Sequence, residues 1–173
     1  MNEVLNCLET RRSVRKYLPK QLADAELNAI LEAGIYAPTA MGRQSPKIVV
    51  LQKPEDVAEL ERMNAAVLGN PDSHPFYGAP TVLVVLADAK AGTAVEDGSL
   101  VLGNLMNAAH ALGVGSCWIH RAREEFASGE GKALLKRWGV EGDWVGVGHC
   151  ILGYAAEPAA PAKPRKADYI VRM

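Results

Sequence analysis

The 173-residue chain has few cysteines: Cys7, Cys117 and Cys150, odd in number and widely scattered. That excludes a disulfide framework and argues against a thiolate zinc site, leaving free thiols in a reducing compartment. A surplus of either charge is also missing, since Lys plus Arg number 19 and Asp plus Glu 20. General nucleic-acid binding, which needs excess positive charge, is therefore excluded, and any anion held here must meet a local cluster. No apolar run approaches the roughly 18 uncharged residues of a membrane span. The opening MNEVLNCLETRRSVRKY puts its basic groups after a short apolar stretch, the reverse of a secretory signal, so a cytoplasmic location is expected.

The usual catalytic sets are absent too. His74, His110, His120 and His149 show no metal-ligand spacing, and neither HExxH nor CxxC occurs. There is no G-x-S-x-G elbow and no glycine-rich run ending in GK[ST]. Gly113-Val114-Gly115 leads into a strand, the wrong context for a dinucleotide fingerprint. Cys117 has no neighbouring cation pattern that would lower a thiol pKa and reads as a small buried residue. His149 and Cys150 read as core or lining residues. Such a chain suits chemistry carried by a bound cofactor, for which the protein supplies phosphate donors and small residues.

What is present alternates helices with strands. Val4, Leu5 and Leu8 give a short helix over 2–10 one apolar stripe. A second helix is expected from Asp24 as N-cap, burying Leu27, Ile30 and Leu31 and bounded by Gly34 and Pro38. Residues 39–46 read as a loop and 48–51 as a strand. Pro54 opens a helix reaching Leu68, and 69–80 is a Gly/Pro-rich loop. The unbroken apolar run at 81–86 predicts a strand buried on both faces. Asp97 and Ser99 are candidate caps for a helix to Leu112, closed by Gly113. That helix is apolar nearly all round and needs cover on every side, which a partner chain can supply. Strands near 114–119 and 145–154 flank one or two short helices. From about 155 to 173, prolines at 158, 161 and 164 specify an extended arm. One domain over 1–173 is expected, with an α/β or α+β sandwich of helices around a single sheet.

The densest positive feature is Arg11, Arg12, Ser13 and Arg15. Guanidinium groups pair with phosphate oxygens and a serine hydroxyl adds a neutral donor, although taken alone the run reads more readily as a solvated turn. Lys163, Arg165 and Lys166 form a second cluster, which by composition alone is a solubilising tail.

Several segments together resemble the nitroreductase family of flavoproteins: RRSVRKY (11–17), APTAMGRQSPKIVVL (37–51), FYGAPTVLVV (76–85), DGSLVLGNLMNAAHALGVGSCWI (97–119), GVGHCILGYA (146–155) and KPRK (163–166). The resemblance implies an α+β nitroreductase fold, a central mixed sheet surrounded by helices, in an intertwined homodimer that binds FMN at its interface. It places Arg11, Arg12, Ser13, Arg15, Lys163 and Arg165 on the phosphate and the ring's pyrimidine edge. Pro38, Thr39, Ala40, Met41, Gly42 and Gln44 match the loop supplied by the other subunit. Ser116, Cys117, Trp118, Ile119, His120 and Arg121 match the stretch flanking the ring. The implied reaction is ping-pong: NAD(P)H delivers hydride to the flavin, which passes it to a nitroaromatic, quinone or similar small acceptor, with no catalytic side chain. A flavin reductase or reductive dehalogenase on the same scaffold, or a flavin-storage protein, are the alternatives. Gly42 stands where the family commonly has Asn, and Ser45-Pro46 where it has Pro-Trp. The chain also lacks much of the family's inserted helical cover, which implies a more open pocket.

Overall fold

The computed structural model describes residues 2–173. Ten elements follow one another: α1 Glu3–Thr10, α2 Asp24–Ile35, β1 Pro46–Leu51, α3 Pro54–Leu68, β2 Thr81–Asp88, α4 Ala94–Ala111, β3 Gly115–Ile119, α5 Ala122–Ala127, α6 Gly129–Arg137 and β4 Trp144–Gly153. The sheet order is β1-β2-β4-β3, and each neighbouring pair is antiparallel. The parallel component of the sheet is confined to a bridge between Ser13 and Ser116.

β2 sits inside the sheet, and its apolar run is buried on both faces. Leu83, Val85 and Ala87 face a core built with α2 and α4, while Val82, Val84 and Leu86 face a second core with α3, α5 and α6. This alternation is the period of two that strand geometry imposes. Helix α4 lies very close to the sheet because residue 98 is glycine: a Cβ there would stand 2.6 Å from the Val147 side chain.

Helix ends differ from the expectations in informative ways. Ala23, not Asp24, is the N-cap of α2, and the Glu26 carboxylate accepts from the Ala23 N–H at 3.1 Å. Helix α4 begins at Ala94, three residues before Asp97, so neither Asp97 nor Ser99 caps it. The Ser99 hydroxyl donates to the Val95 carbonyl instead, at 2.6 Å. Residues Val4, Leu5 and Leu8 do form one stripe of α1, but that helix buries none of its side chains. On α4, Val101, Leu102, Leu105 and Ala109 are buried whereas Leu100 and Leu112 are exposed.

Asp97 has another task. Its carboxylate, only 3% exposed, accepts from the Ala40 N–H at 3.0 Å and the Ser45 hydroxyl at 2.7 Å, with Thr93 at 3.3 Å. Three residues of the segment it holds, Met41, Gly42 and Gln44, have positive φ of 54°, 66° and 51°. A left-handed backbone at Met41 and Gln44 is unfavourable and persists only where surrounding bonds enforce it. The Ser45 bond, then those from Ala40 and Thr93, hold the Asp97 pKa below its ordinary value. This stabilisation is present above the ordinary carboxylate range and is lost as pH falls through the lowered native value. Replacing Asp97 by Ala removes charge-assisted bonds and leaves half-buried donors unpaired, costing about 2 kcal/mol. A fall in Tm of several degrees and faster proteolytic cutting at 41–44 are expected; an unchanged Tm and cutting rate would discard the clamp.

Candidate functional site

The chain's two ends meet because β4 runs out alongside the segment after α1. Leu18 donates to the Tyr154 carbonyl at 2.9 Å, Ala156 to the Lys16 carbonyl at 3.0 Å, and Tyr17 bridges Ala155. Lys16 and Glu157 add an exposed ion pair at 2.8 Å. Upstream, the Val14 N–H donates to the Ser116 carbonyl at 2.9 Å, which ties the same segment to the start of β3. The proline-bearing arm therefore leaves β4 beside residues 16–18 and continues past the arginines of 11–15.

The result is a shallow cavity of about 300 Å³ whose walls include Arg11, Arg12, Ser13, Arg15, Lys163 and Arg165. Among the described residues none of these five cations is in an ion pair, and no carboxylate lines the cavity. Arg12 is partly engaged, since its Nη1 donates at 2.8 Å to the carbonyls of Glu9 and Arg11. Of the five buried side-chain atoms with no partner among the described residues, Arg11 Nη1 belongs to the cavity wall, and Ser116 Oγ to the residue whose main chain bridges Ser13. Lone buried donors of this kind are what an anion with several acceptor oxygens satisfies. Phosphate chemistry thus fits the residues present.

From Ser116, β3 runs away from the cavity. Among the described residues its only strand partner in the sheet is β4, so beyond the Ser13 bridge no described strand pairs with the other backbone edge. Cys117 and Ile119 point into the core shared with α3 and α5, and only their main chain can meet a ligand. Trp118 is half-buried on the opposite face, where Gly148 leaves room for its indole. His120 and Arg121 form the corner before α5, with Arg121 at φ 82°.

The loop at Pro38–Gln44 is not brought to this cavity. It hangs from Asp97 in the first turn of α4, whereas α1 and the arginines lie beside His110 in the last, where Thr10 Oγ1 is 2.9 Å from His110 Nε2. At an α-helical rise, Asp97 and His110 are about 20 Å apart. Gly42 is exposed with open space where a Cβ would stand, and Ser45 is committed to Asp97.

Two residues that position these segments carried no sequence signal of that role. Asp97 read as a cap, and Asn64, in the middle of α3, read as nothing at all. Asn64 is fully buried, its Nδ2 donating to the His120 carbonyl at 2.8 Å and its Oδ1 accepting from Arg121 Nε at 3.0 Å. Burial pushes the Cys150 pKa up, which disfavours a reactive thiolate there. His149 is fixed deep in the core, 2.5 Å from the Glu125 carboxylate and edge-on to Phe76 and Phe126. Among the described residues no helix is long and apolar enough to cross a membrane, and no cluster could hold a metal ion.

Comparison with known proteins adds the lineage. The nitroreductase family profile matches residues 8–76 and 70–154. A protein of Archaeoglobus fulgidus named for NADH dehydrogenase/NAD(P)H nitroreductase is 32% identical over 89% of this chain and 86% of its own. One of the same name from Methanothermobacter thermautotrophicus is 30% identical over 67% of this chain but only 60% of its own length. The crystal structure of a nitroreductase with bound FMN from Bacteroides fragilis superposes with a TM-score of 0.91 at 34% identity, covering 100% of both chains. With the profile spanning most of the sequence, and with these identities and this shared fold, the chain belongs to the nitroreductase family.

Proposed function

We propose that this chain is an FMN-dependent oxidoreductase, acting in the cytoplasm as a homodimer and passing hydride from NADH or NADPH to a small acceptor such as a nitroaromatic or quinone. The observation that carries the reading is the cavity where Arg11, Arg12 and Arg15 meet Lys163 and Arg165 with no carboxylate among its walls. Residues 1–173 are read as one domain, with 155–173 as its arm.

In this reading Arg11, Arg12, Lys163 and Arg165 hold the ribityl phosphate, and the hydroxyls of Ser13 and Ser116 add neutral donors. The Arg11 nitrogen that has no protein partner is the strongest candidate for a direct phosphate bond. The unpaired edge of β3 and the corner at His120–Arg121 offer main-chain N–H groups to the ring, with Arg15 placed for its pyrimidine edge. When bound, FMN supplies the hydride-accepting and hydride-donating chemistry. The chain's part is to bind, orient and bias that group, and donors at the pyrimidine edge favour the reduced form, where negative charge develops.

Two observations support a second copy. The 38–44 loop hangs from the end of α4 remote from its own cavity, which favours a role for it at a partner's site. Apolar side chains also stand exposed on α1, α2 and α4 at Val4, Leu5, Leu8, Ile35 and Leu100, and Val4 and Leu8 line a groove of about 470 Å³ with Ala33, Ala108 and Ala111. Contiguous exposed apolar area of this kind marks an interaction face.

Purified protein is expected to be yellow and to bleach with NADH or NADPH in the absence of oxygen. Losing two charge-assisted contacts of about 1.5–3 kcal/mol each, the Arg11→Ala/Arg15→Ala double variant should bind FMN at least 100-fold more weakly. Undiminished binding rejects the phosphate assignment. Light scattering should give twice the chain mass of 18.5 kDa. Leu8→Asp should produce a monomer with impaired FMN binding, and a monomeric wild type that still binds FMN tightly would sink the shared site.

A further inference from the structure

The corner between β3 and α5 is built in a way that neither its own sequence nor its helix explains. The chain leaves Ile119 and must turn within two residues to begin α5 at Ala122. It does so by placing Arg121 in the left-handed region, φ 82° and ψ 0°, a conformation that a long side chain rarely adopts. Arg121 has no local feature that favours this, being neither Gly nor Asn. The conformation must be imposed from outside, and the structure shows two sources.

Beneath the corner, β4 carries Gly146, where a Cβ would stand 2.1 Å from the Ala122 carbonyl oxygen. The main chain of the corner can therefore lie directly on the sheet. On the α3 side stands Asn64. One side-chain amide grips both corner residues at once, donating to the His120 carbonyl and accepting from the Arg121 guanidinium. Both polar atoms of the Asn64 amide are engaged by these bonds, and the residue lies between Met63 and Ala65, themselves buried. A fully buried amide costs desolvation energy that a leucine at the same place would not, so its retention needs these two partners. The bond to the His120 carbonyl fixes the plane of the peptide linking His120 to Arg121. That peptide carries the Arg121 N–H, at the end of the unpaired β3 edge.

We propose that Asn64 is a positioning residue for the flavin site: through its paired bonds it holds the His120–Arg121 peptide in one orientation, so that the main-chain donors at the end of β3 face the ring ready-set. The inference rests on the FMN reading above. Preorganised donors stabilise charge without reorienting when it appears, whereas a corner free to flip would spend binding energy on ordering itself.

Asn64→Asp and Asn64→Ala separate the two bonds. Asp keeps an acceptor for Arg121 and loses the donor to His120; Ala loses both. Three measurements apply: FMN dissociation constant by fluorescence, absorption spectrum and midpoint potential of the bound flavin, and amide hydrogen exchange at 120–122 in the flavin-free protein. Both variants should exchange those amides at least 10-fold faster. FMN affinity should fall about 10-fold in Asn64→Ala and less in Asn64→Asp, with a shifted flavin spectrum and potential in each. A merely structural role would lower Tm in both variants without moving the spectrum or potential. Should Asn64→Ala not fold, the nearly isosteric Asp variant decides alone. Wild-type exchange rates in the flavin-free Asp variant, or a wild-type spectrum and affinity in the loaded one, overturn the proposal. Failure of the unmodified protein to bind FMN overturns the underlying reading instead.

Discussion

Burying β2 on both faces demands a helical layer on each side of the sheet, and each segment of the candidate site hangs from one of those layers or from the sheet itself. On one side α4 lies close against β4, permitted by Gly98, and its two ends serve different purposes. Its first turn carries Asp97 and the strained loop; its last carries His110 beside the arginine segment. On the other side α3 brings Asn64 to the corner after β3. A helix displaced along its axis would therefore disturb a binding segment as well as a core.

Much of the architecture was legible because it depends on short-range periodicity. The apolar run at 81–86 specified a doubly covered strand, and Pro54 and Leu68 bounded α3 as they stand in the structure. The basic clusters at 11–15 and 163–165 were visible, and chain pairing between residues 16–18 and 154–156 explains how they meet. What was illegible shares one cause: it depends on contacts between residues far apart in sequence. Asp97 looks like a cap because acidic residues near a helix start usually are, and only the position of Ala40 and Ser45 reveals the clamp. An Asn within a helix gives no sign that its amide will meet residues 120 and 121. The apolar stripe of α1 was read correctly as a stripe, but periodicity does not say whether a face is covered by the same chain or another.

Charge of one sign is concentrated at the two-ended cavity. Five cations gathered without a carboxylate repel one another, a repulsion that an anion held among them would relieve. An anion that relieves this repulsion binds the folded chain and not the unfolded one, and so adds to stability by mass action. Cofactor occupancy and resistance to unfolding are then two readings of a single equilibrium.

The arm gives that equilibrium a direction in time. Its lysine and arginine follow the last strand, so during synthesis the whole sheet emerges before the second half of the cationic cradle exists. Because residues 155–173 are exposed throughout, a protease could remove them after folding and leave the layered body intact. On the reading proposed above, such a clipped molecule would keep its shape while surrendering its grip on the anion, making the tail a point where cofactor loading and degradation compete.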